Sequence, residues 1–139
     1  MRTASADDRK SYAGFIAWLV LFCVGLLGIG LLPISDADVL MRLMDNGCCW
    51  GIVALTLIIE RTEKVYWYNG ITFEEAQAAG SERRKRYARA LLKPFLIFAV
   101  LFSVFSAAGQ FLQLAGWADC VVMAVGLIVC AFSTCRIKL

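Results

Sequence analysis

The chain has 139 residues, of which 60% are hydrophobic and none is histidine, and its mean hydropathy is +0.71. A soluble domain is closer to half apolar, and the excess here is concentrated in long runs, which is typical of membrane-spanning helices. The lack of histidine excludes imidazole ligation of zinc or haem and histidine acid–base catalysis. No P-loop, phosphate-binding glycine motif or serine nucleophile elbow is present, so the sequence indicates neither an enzyme nor a cofactor.

The first apolar run covers about residues 15–33, follows a short charged tail and ends at Pro33. It is longer than the core of a typical signal peptide, and no small-residue cleavage site follows it. We therefore interpret it as the first membrane span.

The second span is less clearly bounded, because the uncharged stretch 47–59 is too short to cross a bilayer alone. A span over about 43–66, within one long helix that begins near Leu40, has the required length. It places Arg42 and Asp45 at the outer headgroups and an aromatic belt at the inner surface.

A polar bridge over about 67–93 separates the two apolar halves of the chain. Asn69-Gly70 is a turn signal that ends the preceding helix. Thr72 and Glu75 have the spacing of a capping box, and Gly80 is placed to end the short helix that follows. The sequence therefore predicts a short helical cytoplasmic connection.

The third and fourth spans are predicted at about 94–114 and 117–134, with Gly116 marking a tight turn between them. The predicted fold is an all-α integral membrane protein, a single domain over residues 1–139. Its four transmembrane helices form two antiparallel hairpins.

The basic residues indicate the orientation of these spans. Lysine and arginine lie in the N-terminal tail, in residues 61–93 up to the end of the bridge, and at the C-terminus, and Arg42 is the only base in the connections within the hairpins. By the positive-inside rule, both termini are cytoplasmic, and we expect the cell (plasma) membrane. The same rule accounts for the basic run, so we expect no nucleic-acid partner. The run instead predicts contact with lipid headgroups or docking of an acidic partner, through Arg83, Arg84, Lys85, Arg86, Arg89 and Lys93.

Three cysteines lie near the outer ends of spans, Cys48 and Cys49 in the second and Cys120 in the fourth. They are interpreted as small apolar packing residues, as a disulfide from Cys120 to one of the pair, or as redox groups. Four spans with cysteines near the outer end of the second one resemble quinone-linked disulfide-forming membrane enzymes. Here Cys48 and Cys49 are adjacent rather than arranged as Cys-x-x-Cys, and no second exposed pair exists.

Small and polar residues in the spans indicate where helices approach one another. The predicted helix-packing residues are Gly25, Gly28, Gly47, Gly51, Ser103 and Ala107. In an oligomer, a pore lined by the third span would use Ser103, Ser106 and Gln110.

Three functional hypotheses follow from these patterns. The first is a non-enzymatic accessory or scaffold subunit of a membrane complex, with the lipid bilayer and either a second copy or another membrane protein as partners. The alternatives are a small oligomeric transporter or channel, and a membrane thiol-redox protein. No catalytic residue, metal ligand or cofactor is predicted.

Overall fold

The structure is a computed structural model and describes residues 10–139. The predicted cytoplasmic tail at residues 1–9 lies outside the described residues. The four helices are α1 (Ala13–Gly30), α2 (Ala37–Thr62), α3 (Phe73–Phe111) and α4 (Gly116–Cys135), with a short 3-10 helix at Val65–Trp67. Each of the four is long and apolar enough to cross a membrane, and residues 10–139 contain no strand. We call the end with the 31–36 and 112–115 connections the turn end and the opposite end the bridge end.

Helix α2 begins earlier than the predicted second span. Asp36 caps it, because its carboxylate accepts hydrogen bonds from the backbone N–H groups of Asp38 at 2.9 Å and Val39 at 3.3 Å. The start at Ala37 places Arg42 and Asp45 inside the helix, more than a full turn from its end. Both side chains are consequently buried against neighbouring helices, and their predicted position at the level of the outer headgroups stays a prediction.

The same helix ends at Thr62 and not at the predicted position 66. Glu63 adopts a left-handed backbone conformation with φ of 57°, which stops the helix, and the 3-10 turn follows. Asn69 and Gly70 also have positive φ, so the predicted turn at this pair is present but is not what terminates α2.

Helix α3 begins with the predicted capping box. Thr72 Oγ1 accepts from the Glu75 N–H at 3.2 Å, and the Glu75 carboxylate accepts from the Thr72 N–H at 2.9 Å. Gly80 has φ of 74° and ψ of 164°, so α3 consists of two helical segments that meet at this glycine, as predicted.

Helices α2, α3 and α4 form a three-helix bundle, and α1 packs on its outside. The most extensive contact is between α2 and α3, and α1 contacts mainly α2. The predicted hairpins, α1 with α2 and α3 with α4, therefore do not form separate packing units. The bundle contains two apolar clusters of buried residues, one centred on Ile59 and Leu91 and one on Phe102 and Cys49.

Helix α1 lies on α2 through a stripe of aromatic and branched side chains. Trp18 Nε1 donates to the Gly51 carbonyl at 3.1 Å, and the Phe22 ring occupies the space above Gly51. A Cβ at Gly47 would lie 3.2 Å from both Leu26 and Ile29. Gly47 and Gly51 are thus close-approach positions within the chain.

Gly25 and Gly28 differ from that pair, because a Cβ at either position would meet no atom within 4 Å. No residue of α1 is buried. Any close packing at Gly25 and Gly28 would have to involve a molecule other than residues 10–139 of this chain.

Candidate functional site

A cluster of ionisable side chains lies at the turn end, between α2 and α4. We call Arg42, Asp45 and Asp119 the charged cluster; their exposed fractions are 5%, 7% and 0%. Ionisable side chains within apolar spans are costly and usually mark functional positions. The cluster is therefore the first candidate for a site.

The Arg42 guanidinium joins three helices. Its Nη1 donates to Asp119 Oδ1 at 2.8 Å and to the Ser106 carbonyl at 3.0 Å, and its Nη2 donates to the Leu114 carbonyl. The group fits because α3 has a glycine at this level, where a Cβ on Gly109 would collide with Nη1. Arg42 thus connects α2 to α3, to α4 and to the turn between them.

A chain of neutral polar side chains continues from the cluster along the contact between α2 and α3. Asn46 Nδ2 donates to the Arg42 carbonyl at 2.9 Å and to Ser106 Oγ at 3.1 Å. Ser103 donates to Asn46 Oδ1 at 2.8 Å and accepts from Trp50 Nε1 at 3.0 Å.

This arrangement locates the predicted pore-lining residues. Ser103 and Ser106 point into the contact between α2 and α3 of the same chain, whereas Gln110 is exposed and Ala107 is exposed beside it. The three polar residues of the predicted pore therefore do not share one environment.

Three buried atoms of the charged cluster have no hydrogen-bond partner in the described part of the chain: Arg42 Nε, Asp45 Oδ2 and Asp119 Oδ2. Buried polar atoms are nearly always paired in folded proteins. Two unpaired carboxylate oxygens at one place give the cluster unused capacity to accept a proton or a hydrogen bond.

The cysteines predicted to form a disulfide lie close to this cluster. The Cys120 side chain lies beside the Asp45 carboxyl, and Cys48 follows Asp45 by almost one turn of α2. Cys49 is buried and faces Cys130 in the bundle. All six cysteines are free thiols in the structure.

A second link at the turn end joins the starts of α2 and α4. Asp38 Oδ1 accepts a hydrogen bond from the Gly116 N–H at 2.9 Å. A Cβ at Gly116 would lie 2.8 Å from that same oxygen, so the absence of a side chain allows the contact.

At the bridge end, part of the predicted docking run is held by two acids near the end of α2. Arg84 contacts Glu63 through Nε at 3.2 Å and Nη2 at 3.0 Å, and Lys85 Nζ lies 3.4 Å from the same carboxylate. Arg89 Nε pairs with Glu60 at 3.1 Å. The other three bases form no ion pair in the described part of the chain: Arg83, Arg86 and Lys93.

Because of Glu63, the stability of the bridge end is expected to change with pH in the acidic range. Partial burial by itself raises the pKa of Glu63, but hydrogen bonds from Ser81, Arg84 and Lys85 outweigh it and bring the pKa below its ordinary value. A carboxyl whose folded pKa is lowered contributes stability above its ordinary pKa, and that stability is lost as the pH falls through the folded pKa.

We therefore expect Glu63→Gln to lower the free energy of unfolding by about 1 kcal/mol at neutral pH, given the modest strength of partly exposed ion pairs. The difference from the unmodified protein should shrink as the medium is acidified below the ordinary glutamate pKa. Thermal unfolding in detergent micelles at several pH values measures this. Glu82→Gln is the matched control, because Glu82 is exposed and forms no ion pair with any of residues 10–139; an equal effect of both changes would contradict the prediction.

The sequence analysis placed Arg42 near the outer end of the second span but did not pair it with Asp119 of the fourth. The available signal was an arginine and two aspartates in otherwise apolar runs. Among residues 10–139, no group of three cysteine, aspartate or glutamate side chains is arranged to hold a metal ion.

Comparison with known proteins assigns no relative. No protein family, no curated protein and no solved structure matches this chain. The function must therefore be argued from the fold and from the charged cluster.

Proposed function

We propose that this protein is a non-enzymatic accessory subunit of a membrane complex, and that α1 is the helix that contacts another membrane protein. The observation that supports the proposal is the position of α1. The buried residues of both apolar clusters come from α2, α3, α4 and the 3-10 helix. Helix α1 contributes none, and only partly buried side chains such as Phe15 and Trp18 pack against one cluster.

The outward surface of α1 has the features of a helix-contact surface in a membrane. Lipid tails are as apolar as leucine, so association there depends on close packing at small residues. Gly25 and Gly28 provide open backbone one turn apart on α1, and large exposed side chains such as Leu21 and Leu27 flank them. A partner's apolar helix is the occupant that this surface fits.

The polar side chains of the spans support the same function. Arg42, Asn46 and Ser103 are all used in contacts between helices of this chain. The proposed orientation has both termini in the cytoplasm of a plasma membrane, so that Arg83, Arg86 and Lys93 lie at the inner surface, where anionic headgroups attract bases.

The experiment is native mass spectrometry of the protein gently solubilised from its own membrane, as wild type and as the Gly25→Leu/Gly28→Leu variant. We expect a stoichiometric second protein with the wild type and its loss with the variant, without a change in thermal stability. Ala124→Leu, on an exposed part of α4, is the control and should retain the partner. A monomer without a partner would overturn the proposal.

The charged cluster favours a second candidate, a small oligomeric transporter, because ionisable side chains inside spans often lie on proton or ion pathways. In the same measurement, a single homo-oligomer would favour this candidate over the accessory function. Flux into liposomes would then be compared for Ser106→Ala, which alters the chain of polar side chains, and Gln110→Ala, which lies outside it.

A further inference from the structure

The charge of the turn-end cluster is not balanced. It contains one base, Arg42, and two acids, Asp45 and Asp119, all at least nine-tenths buried. Arg42 donates to Asp119 and to two backbone carbonyls, and none of its hydrogen bonds within residues 10–139 reaches Asp45. An ionised Asp45 would therefore be a buried negative charge beside a second one, which is strongly unfavourable.

Among residues 10–139, the groups that face Asp45 from the neighbouring helices include no base that pairs with it. They are the thiols of Cys48 and Cys49 on α2, and Asp119 and Cys120 on α4. The α3 positions at the cluster are Ser106 and Gly109, and α1 presents Leu26 and Ile29 near Gly47, all of them uncharged.

The number of available oxygen ligands indicates which cation the charged cluster can bind. Metal ions of the Mg²⁺ and Ca²⁺ type need six or more oxygen ligands, and Asp45 and Asp119 offer one unpaired oxygen each. A proton needs one carboxylate oxygen. Two carboxylates that share a site, where both cannot be ionised together, commonly hold one proton between them.

We propose that the charged cluster is a proton-binding site, in which Asp45 takes up one proton while Asp119 remains ionised against Arg42. The proton comes from water and forms an O–H bond on the Asp45 carboxylate, which changes the charge of the cluster from −1 to 0. Release of the proton restores two adjacent carboxylates, whose repulsion loosens the contact between α2 and α4 at the turn end. The proton site goes beyond the accessory function and does not depend on it.

The test is infrared spectroscopy of the full chain in lipid bilayers at neutral pH, in H₂O and in D₂O. A protonated carboxylic acid has a carbonyl stretch that is separate from the amide and carboxylate bands. We expect this band in the wild type, a shift to lower frequency in D₂O, and its loss in Asp45→Asn. Asp36→Asn is the control, because Asp36 is an exposed helix cap that asparagine can replace, and it should retain the band.

Thermal unfolding tests the same assignment of the proton to Asp45 by a second measurement. Asparagine resembles a protonated aspartate, so Asp45→Asn should keep the wild-type midpoint at neutral pH, whereas Asp119→Asn should lower it. If Asp45→Asn fails to fold, ¹³C labelling of the aspartates in the wild type still tests the site, because a band that does not shift with the label would exclude a protonated aspartate. Only ionised carboxylates in the wild type, or a band unchanged in Asp45→Asn, would overturn the proton site and leave the accessory function untouched.

Discussion

Arg42→Met is expected to lower the free energy of unfolding by about 3–5 kcal/mol, because it leaves Asp119 buried without the cationic partner that it has among residues 10–139. Asp119 has no exposed surface, and the ion pair is 2.8 Å long. The arginine also supplies the hydrogen bonds to the Ser106 and Leu114 carbonyls, so its loss leaves these two acceptors without that donor.

The double variant Arg42→Met/Asp119→Leu separates the ion pair from simple loss of packing. Removing both charges together takes away the uncompensated buried charge, so the double variant should be more stable than Arg42→Met alone. Unfolding would be followed by the helical circular dichroism signal in detergent micelles.

Arg61→Met is the matched control for this cycle. Its side chain is 78% exposed and lies 4.0 Å from Glu60, so its loss should change stability by less than about 1 kcal/mol. A double variant no more stable than Arg42→Met, or an Arg42→Met effect as small as that of Arg61→Met, would contradict the assignment of this cost to an unpaired buried charge on Asp119.

Gly51→Leu is expected to displace α1 from α2 and to cost about 1–3 kcal/mol, the usual penalty of overpacking a close contact. A side chain at this position overlaps the Phe22 ring, and the adjacent hydrogen bond from Trp18 Nε1 to the Gly51 carbonyl would be strained. Because α1 adds no buried residue to the bundle, we expect α2, α3 and α4 to stay packed.

The Gly51 prediction has both a control and a rescue. Gly25→Leu places the same side chain on α1 where no atom lies within 4 Å, and should leave the thermal midpoint unchanged. Adding Phe22→Ala to Gly51→Leu clears the space and should recover part of the stability. Thermal unfolding together with the intrinsic tryptophan fluorescence, to which Trp18 contributes, would measure both; equal effects of Gly25→Leu and Gly51→Leu would refute this contact between α1 and α2.

Most of the helical segments could be predicted from the sequence. Apolar runs of spanning length identify the four helices. The starts of α3 and α4 follow from local features, the Thr72 capping box and the turn at Gly116. The start of α2 at the Asp36 cap was predicted less accurately, because charged residues such as Arg42 and Asp45 are more typical of the headgroup level than of the interior of a membrane helix.

The sequence by itself determined which segments are helical, because the length of an apolar run and the capping residues beside it are local properties. Only the tertiary structure decided which helix faces meet, since hydrophobicity does not distinguish a lipid-facing side from a packed side in a span that is apolar all round. It paired Arg42 with Asp119, 77 positions apart, directed Ser103 and Ser106 toward α2, and left Gly25 and Gly28 without a neighbour. These outcomes depend on close approach at glycines and on the pairing of polar groups away from water, and both of these require the three-dimensional arrangement of the helices.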